Sequence, residues 1–255
     1  MNDQRRDHES PRRTPRRIAV VPAYNEEPTV KAVLERLYPL VDELVVVDDG
    51  STDNTREVVE KWLPEQDNAW LLSFDDNQGM SAAYYLAFTD LRQRLGTGEI
   101  GEDDLILTVD ADGQHELGVL DELRDITVAD DLDALIVQRD LLTYPLYKRF
   151  GNWLVSAWAS LWAGQRLRDV ESGYRIFRAA ALSDALDYYK GYKYSETVEV
   201  AVVLCRLGYR VRNDVMVPVP VFRSRTRLVD AAIDLAMIPV AAYRASRRRR
   251  RRFRS

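Results

Sequence analysis

Two carboxylates one residue apart, Asp110 and Asp112, follow a short apolar run from Leu105 to Val109. Acids so placed at a strand end suit a hard divalent cation such as Mg2+ or Mn2+, which prefers oxygen ligands and keeps waters or substrate phosphates in its shell. A diphosphate leaving group needs that positive charge as its bond breaks. Standing alone, an acidic turn of this kind can equally cap a helix. A second acidic stretch, Asp48-Asp49-Gly50-Ser51-Thr52-Asp53, follows the run Glu43 to Val47. Ser51 or Asp53 can cap a helix starting near Thr55, which leaves Asp48 and Asp49 to be explained. As anions they would repel phosphate, so both are expected to point into a crevice and hydrogen-bond to the uncharged part of a nucleotide.

The elements that must hold these acids read as alternating strands and helices. Ile18 to Pro22 is a buried strand. Thr29 to Leu40 is a helix with Val30, Val33, Leu34 and Leu37 at helical spacing. Glu43 to Val47, Trp70 to Ser73, Asp104 to Val109 and Leu135 to Val137 are further strands, with helices over Thr52 to Leu63 and Ser81 to Leu95. Alternation predicts an α/β fold, one domain with a mostly parallel sheet covered by helices on both faces. Open α/β sheets bind ligands beyond the carboxyl ends of their strands. Tyr24-Asn25-Glu26, Asp48-Asp49 and Asp110-Ala111-Asp112 should therefore converge on one crevice.

Charge is spread unevenly over the 255 residues. Residues 1–17 hold six Arg against three acids, and 244–255 hold eight Arg and no acid. Removing those ends leaves 22 basic and 38 acidic residues over 18–243, a net of −16 within a total of −5. Either a salt-adapted surface or GC-rich coding accounts for such a core. Hydrophobic residues make up 46%, enough for a sizeable core and too many for a disordered chain. Cys205, the one cysteine, lies beside the apolar run Val198 to Leu204 and reads as core packing. The first 17 residues contain no apolar leader segment. Leu228 to Tyr243, broken by Asp230 and Asp234, is too short and too charged to span a bilayer. The chain thus divides into a disordered basic arm (1–17), one domain (18–227), and an amphipathic helix with an Arg-rich tail (228–255).

Four motifs occur in order: Pro22-Ala23-Tyr24-Asn25-Glu26-Glu27, Val45-Val46-Val47-Asp48-Asp49-Gly50-Ser51-Thr52-Asp53, Asn77-Gln78-Gly79 and Asp110-Ala111-Asp112-Gly113-Gln114. Together they resemble the GT-A fold of family 2 glycosyltransferases. Asp169-Val170-Glu171-Ser172-Gly173-Tyr174-Arg175 is similar to a motif of the dolichyl-phosphate mannose synthases and related polyprenyl-phosphate sugar synthases. The resemblance implies that Pro22, Tyr24, Glu26, Val47 and Asp49 hold the nucleotide base. It implies that Asp110, Asp112 and Gln114 bind Mn2+ or Mg2+, with Ala111 beside the diphosphate. Arg139, Arg223 and Arg227 would meet phosphate or sugar, and catalysis would rest on Asp112 and Arg175. Glu116 stands where that family usually has Pro, and Met80 where it has Lys or Leu; neither change removes a metal ligand.

The implied reaction is an inverting transfer from a GDP-mannose or UDP-glucose type donor to a polyprenyl phosphate. A phosphate acceptor is already anionic and needs orientation by Arg more than deprotonation. A hydroxyl acceptor would instead need a base, for which Glu196 is the candidate. A non-catalytic nucleotide-sugar-binding protein is the reading from another class. An aspartate phosphatase would want Thr or Val where Gln114 stands, and no G-x-G-x-x-G follows the first strand to suit a dinucleotide. The C-terminal helix, with Leu228, Ala231, Ala232, Leu235, Ile238 and Val240 on its apolar side and Arg244 and Arg247 to Arg252 beyond, is expected to lie on an anionic membrane surface. Such a protein would sit peripherally on the cytoplasmic face, with no nucleic acid among its partners. His115 is expected to face solvent at a helix start.

Overall fold

The computed structural model describes residues 14–189, 196–218 and 235–246. Strand and helix alternate through β1 (Arg17–Ala23), α1 (Val30–Leu37), β2 (Glu43–Asp49), α2 (Thr55–Trp62), β3 (Ala69–Phe74), α3 (Met80–Thr97) and β4 (Leu105–Thr108). There follow α4 (Leu120–Ala129), β5 (Ala134–Ile136), β6 (Gln138–Arg139), α5 (Leu146–Ala163), β7 (Arg175–Arg178), α6 (Ala179–Leu186), α7 (Glu196–Leu207), β8 (Val211–Arg212) and β9 (Met216–Val217). Seven strands form one sheet in the order β3-β2-β1-β4-β7-β5-β8. All neighbours are parallel except β7, which runs antiparallel to both β4 and β5. β6 and β9 pair separately as a short parallel ribbon.

The strands read as continuous apolar runs because both faces are covered. Along β1, Ile18 and Val20 enter the core under α3, α6 and α7, with Tyr84, Phe88, Leu182 and Val200. Ala19 and Val21 enter the opposite core, with Val33 of α1, Val59 of α2 and Leu123 of α4. That alternation is the two-residue period of a strand with a helix layer on each side. The register Thr108↔Arg175 starts β7 where β4 ends, so the turn before β7 stands beside the acids after β4.

The fold begins earlier than the boundary read in the sequence, and the boundary at 227/228 lies outside the described residues. Arg17 opens β1, and Arg16 is anchored to Asp104 and Glu43 through contacts of 2.6–3.1 Å, so the last residues of the expected arm belong to the fold. Burial would raise the Asp104 carboxyl, but N–H groups of Gly101 and Arg16 and the Arg16 guanidinium together hold it below the usual range. At the other end, the helical stretch 235–246 buries Ile238, Ala241, Ala242 and Ala245, the i, i+3, i+4, i+7 face, against α5, α7 and the core above β1. Trp158 Nε1 donates to the Leu235 carbonyl at 3.0 Å. Within 235–246, the apolar side expected to meet lipid is therefore largely turned onto the domain, although Val240 stays 38% exposed. Residues 1–13, Leu228 to Asp234 and the Arg run from 247 lie outside the described residues.

Candidate active site

The loops after β1 and β2 are stitched to each other. Asn25, at φ 54°, accepts at Oδ1 from the Thr52 N–H (2.8 Å), while its own N–H donates to Ser51 Oγ (3.0 Å). The Glu26 N–H donates to Thr55 Oγ1 at 2.8 Å. Tyr24 projects at the crevice edge, 36% exposed, and Glu26 is nearly buried at 8%. Asp53 accepts from the Thr55 N–H (3.0 Å), as expected of a residue at that helix start.

Asp48 and Asp49 do not both face the crevice. Asp48 is fully buried and pairs with Arg56 of α2, Nε to Oδ2 at 2.9 Å. Asp49 accepts from Asn77 Nδ2 (2.8 Å) and from the N–H groups of Gln78 (2.8 Å) and Gly79 (2.9 Å). Burial raises the Asp49 carboxyl above its ordinary range, and those two backbone N–H groups offset only part of the rise. Asp49 thus fixes the Asn77-Gln78-Gly79 loop that opens α3. The chain passes so close that a Cβ on Gly50 (φ 65°) would lie 2.3 Å from the Asp76 carbonyl carbon. Val47 and Pro22 are strand residues buried in the sheet, and the Val47 side chain points into the core with Val20 and Val45. Neither offers surface to a base.

Beyond β4, Asp112 accepts from the Gln114 N–H (3.0 Å) at Oδ1 and from the Gln114 side-chain amide at Oδ2. Ala111 is buried at 2%. Asp110 is wedged between two neighbours. On one side a Cβ on Gly173 would come within 2.8 Å of its carboxylate, so a larger residue there would displace the Asp110 side chain. On the other lies His115, 7% exposed rather than facing solvent, stacked on Tyr174 with centroids 4.6 Å apart. Burial works to raise the Asp110 carboxyl, yet His115, Arg139 and Arg175 outweigh it and hold it below the usual range.

Arg139 comes to the same place from β6. Its Nε and Nη2 grip Asp169 at 2.9 and 2.6 Å, and Asn152 of α5 donates to Asp169 (2.7 Å) and to Glu171 (3.2 Å). Burial would lower the guanidinium's pKa, but the Asp169 charge raises it further. The Tyr144 ring lies 5.9 Å from the Arg139 Cζ. Asp169 sits at φ 45°, a conformation uncommon for a non-glycine residue and found at functional sites. Burial pushes Glu171 up, and Arg139 compensates only in part.

Arg175 does not reach this crevice. It is 1% exposed, with Nη1 and Nη2 on Glu196 at 3.0 and 3.4 Å and Nε on the Ser172 carbonyl at 2.7 Å. Glu196, also 1% exposed, is enclosed in this pair and is no free base. Both residues read as site groups in the sequence because their partnership, spanning 21 positions, is a product of tertiary packing. Arg223 and Arg227 lie outside the described residues.

The donor set suits a divalent cation. Asp110 Oδ1 is buried with no hydrogen-bond partner among the described residues, and Asp112 and Gln114 bring further oxygens alongside. Those residues contain no cluster of three or more His, Cys, Asp or Glu side chains, so substrate oxygens or water must complete such a shell.

A doubly covered sheet with its polar loops at the strand ends, an Asp-x-Asp after β4 and one antiparallel strand beside it define a GT-A glycosyltransferase. The sequence signature of glycosyl transferase family 2 matches residues 18–185, and the chain belongs to that family. Undecaprenyl-phosphate mannosyltransferase of Micrococcus luteus is 28% identical, over 76% of this chain and 79% of that protein. UDP-N-acetylglucosamine–dolichyl-phosphate N-acetylglucosaminyltransferase of Methanococcus voltae is 27% identical, over 73% of this chain and 78% of that one. Glucosyl-3-phosphoglycerate synthase of Mycobacterium tuberculosis, solved with Mn2+, UDP-glucose and phosphoglyceric acid, shares the fold with a TM-score of 0.61 at 19% identity, covering 91% of this chain and 80% of its own.

Proposed function

We propose that this glycosyltransferase moves a sugar, with inversion, from a nucleoside-diphosphate sugar to a polyprenyl phosphate. The observation that carries the reading is the loop 169–173, whose Asp169 grips Arg139 at one end and whose Gly173 abuts the Asp110 carboxylate at the other. The acids serve the diphosphate and the guanidinium serves the acceptor phosphate. An acceptor phosphate oxygen attacks the anomeric carbon while the bond to the diphosphate breaks, and the diphosphate leaves with the electron pair. A phosphate monoester is largely ionised at neutral pH, so no base is needed. Asp169 holds Arg139 by Nε and Nη2, leaving Nη1 outside that pair for a planar, charge-assisted contact. Asp110, Asp112 and the Gln114 carbonyl would hold Mn2+ or Mg2+, whose charge neutralises the departing diphosphate when the ion is bound. Relatives that act on undecaprenyl or dolichyl phosphate support the acceptor class.

An acceptor of this kind stays in the bilayer, and α5 supports a peripheral position on it. Leu146, Phe150, Trp153, Leu154 and Leu161 are 43–78% exposed at helical spacing, and Lys148 and Arg149 lie among them. Apolar stripes with basic flanks suit the headgroup region of an anionic bilayer. The opposite face of α5 carries Asn152, which binds Asp169 and Glu171, so the stripe lies one helix width from Arg139. No helix among the described residues is long and apolar enough to cross a membrane. The test is to offer purified protein polyprenyl phosphate in anionic vesicles with Mn2+ and a panel of GDP- and UDP-sugars. One donor should yield a lipid-linked sugar; no lipid product from any donor would overturn the proposal.

A further inference from the structure

His115 makes two different contacts with one residue. The Asp110 backbone N–H donates to Nδ1 at 3.2 Å, so Nδ1 carries no proton, and Nε2, which then carries one, lies 3.2 Å from Asp110 Oδ2. The ring is enclosed, held flat on Tyr174 with 13° between planes, and the Tyr174 hydroxyl donates to the Glu116 carbonyl at 3.2 Å. The imidazole is thereby held in one orientation, with Nε2 on the Asp110 carboxylate. It occupies Oδ2 and leaves Oδ1, against the Ser172-Gly173 turn, as the oxygen that has no partner among the described residues.

We propose that His115 is a positioning residue for Asp110, clamping backbone and carboxylate together so that Oδ1 is the oxygen presented to the divalent cation. This rests on the reading of Asp110 as a cation ligand. A carboxylate free to rotate would share both oxygens with water and lose that order on binding; a hydrogen-bonded one is set beforehand. Groups that orient a metal ligand in this way are worth about 10- to 100-fold in metal affinity.

Two substitutions separate positioning from packing. His115→Phe keeps the stack on Tyr174 and removes both nitrogens. His115→Gln keeps an acceptor for the Asp110 N–H and a donor for Oδ2. Binding of Mn2+ in the presence of UDP or GDP is followed by electron paramagnetic resonance, with a thermal melt of each variant. The Phe variant should bind Mn2+ about 10- to 100-fold more weakly than wild type at a similar melting temperature, and Gln should restore most of the affinity. If the Phe variant does not fold, His115→Asn, one methylene too short to span both atoms, should show the same weakening beside a restored Gln. Wild-type affinity in the Phe or Asn variant, or a Gln variant as weak as either, overturns the role of His115. Wild-type protein that binds no Mn2+ overturns the cation reading itself, and this inference with it.

Discussion

The two sides of the crevice are finished differently. The loops after β1, β2 and β3 are tied to one another and to α2: Asn25 to Thr52, Asp49 to Gln78 and Gly79, and Asp48 to Arg56. Arg139 is steadied by Asp169, which Asn152 of α5 holds in turn, and the outer face of α5 is exposed and apolar. On the proposed reading the first side takes the nucleotide sugar, and the second, bordered by that apolar face, takes a lipid-borne acceptor.

That contrast can be broken at several points. The largest effect is expected at the cation ligands: Asp112→Ala should lose transfer by about 100-fold or more while the melt is unchanged, and excess EDTA should do the same to wild type. Next is the buried pair. Arg175→Met leaves Glu196 charged and unpartnered, which should cost about 3–5 kcal/mol in denaturant unfolding, whereas Arg175→Met with Glu196→Leu should recover much of it. If Arg175 instead acted on substrate, the double variant would be stable but dead. Arg139→Lys keeps the charge and loses the fork; it should raise KM for the acceptor about tenfold and leave that for the nucleotide sugar nearly unchanged. Phe150→Glu with Trp153→Glu should abolish sedimentation with anionic vesicles while hydrolysis of the nucleotide sugar in solution continues.

The smallest effect is a pH-dependent one. Burial raises Glu171 above its ordinary 4.5, so the folded state prefers the protonated form. Its favourable contribution is present below that ordinary value and disappears as pH rises through the raised one. Glu171→Gln should therefore match wild type in a melt at about pH 4 and exceed it at about pH 8. Equal melts at both would mean that Arg139 and Lys148 fully offset the burial.

The strands that carry the donor half were the more legible in sequence. β1 to β5 each fall within one or two residues of the apolar runs that predicted them, because a strand covered on both faces needs an unbroken run. Asp48 was misread as a crevice residue because nothing in the run shows that Arg56, eight positions on, turns back to it. His115 was misread as solvent-facing because its stacking partner, Tyr174, arrives in the turn before β7, 59 positions later. A histidine three positions after the second of two carboxylates was the available signal. α5 carries apolar residues all round, and only the fold shows which side Val155 and Ala159 bury and which side Phe150 and Trp153 leave open. The C-terminal helix erred the other way: its face looked suited to lipid, and α5 and α7 took it first.

The central claim is that the acceptor atom is a phosphate oxygen of a membrane lipid. Phosphorus NMR of polyprenyl phosphate vesicles incubated with the enzyme, Mn2+ and its donor tests this directly. The monoester resonance should be replaced by that of a sugar phosphodiester, at a rate equal to nucleoside diphosphate release, and the change should be about tenfold slower with Arg139→Lys at low acceptor. Nucleoside diphosphate released at full rate with the monoester resonance untouched, and the sugar recovered on a hydroxyl, would contradict it.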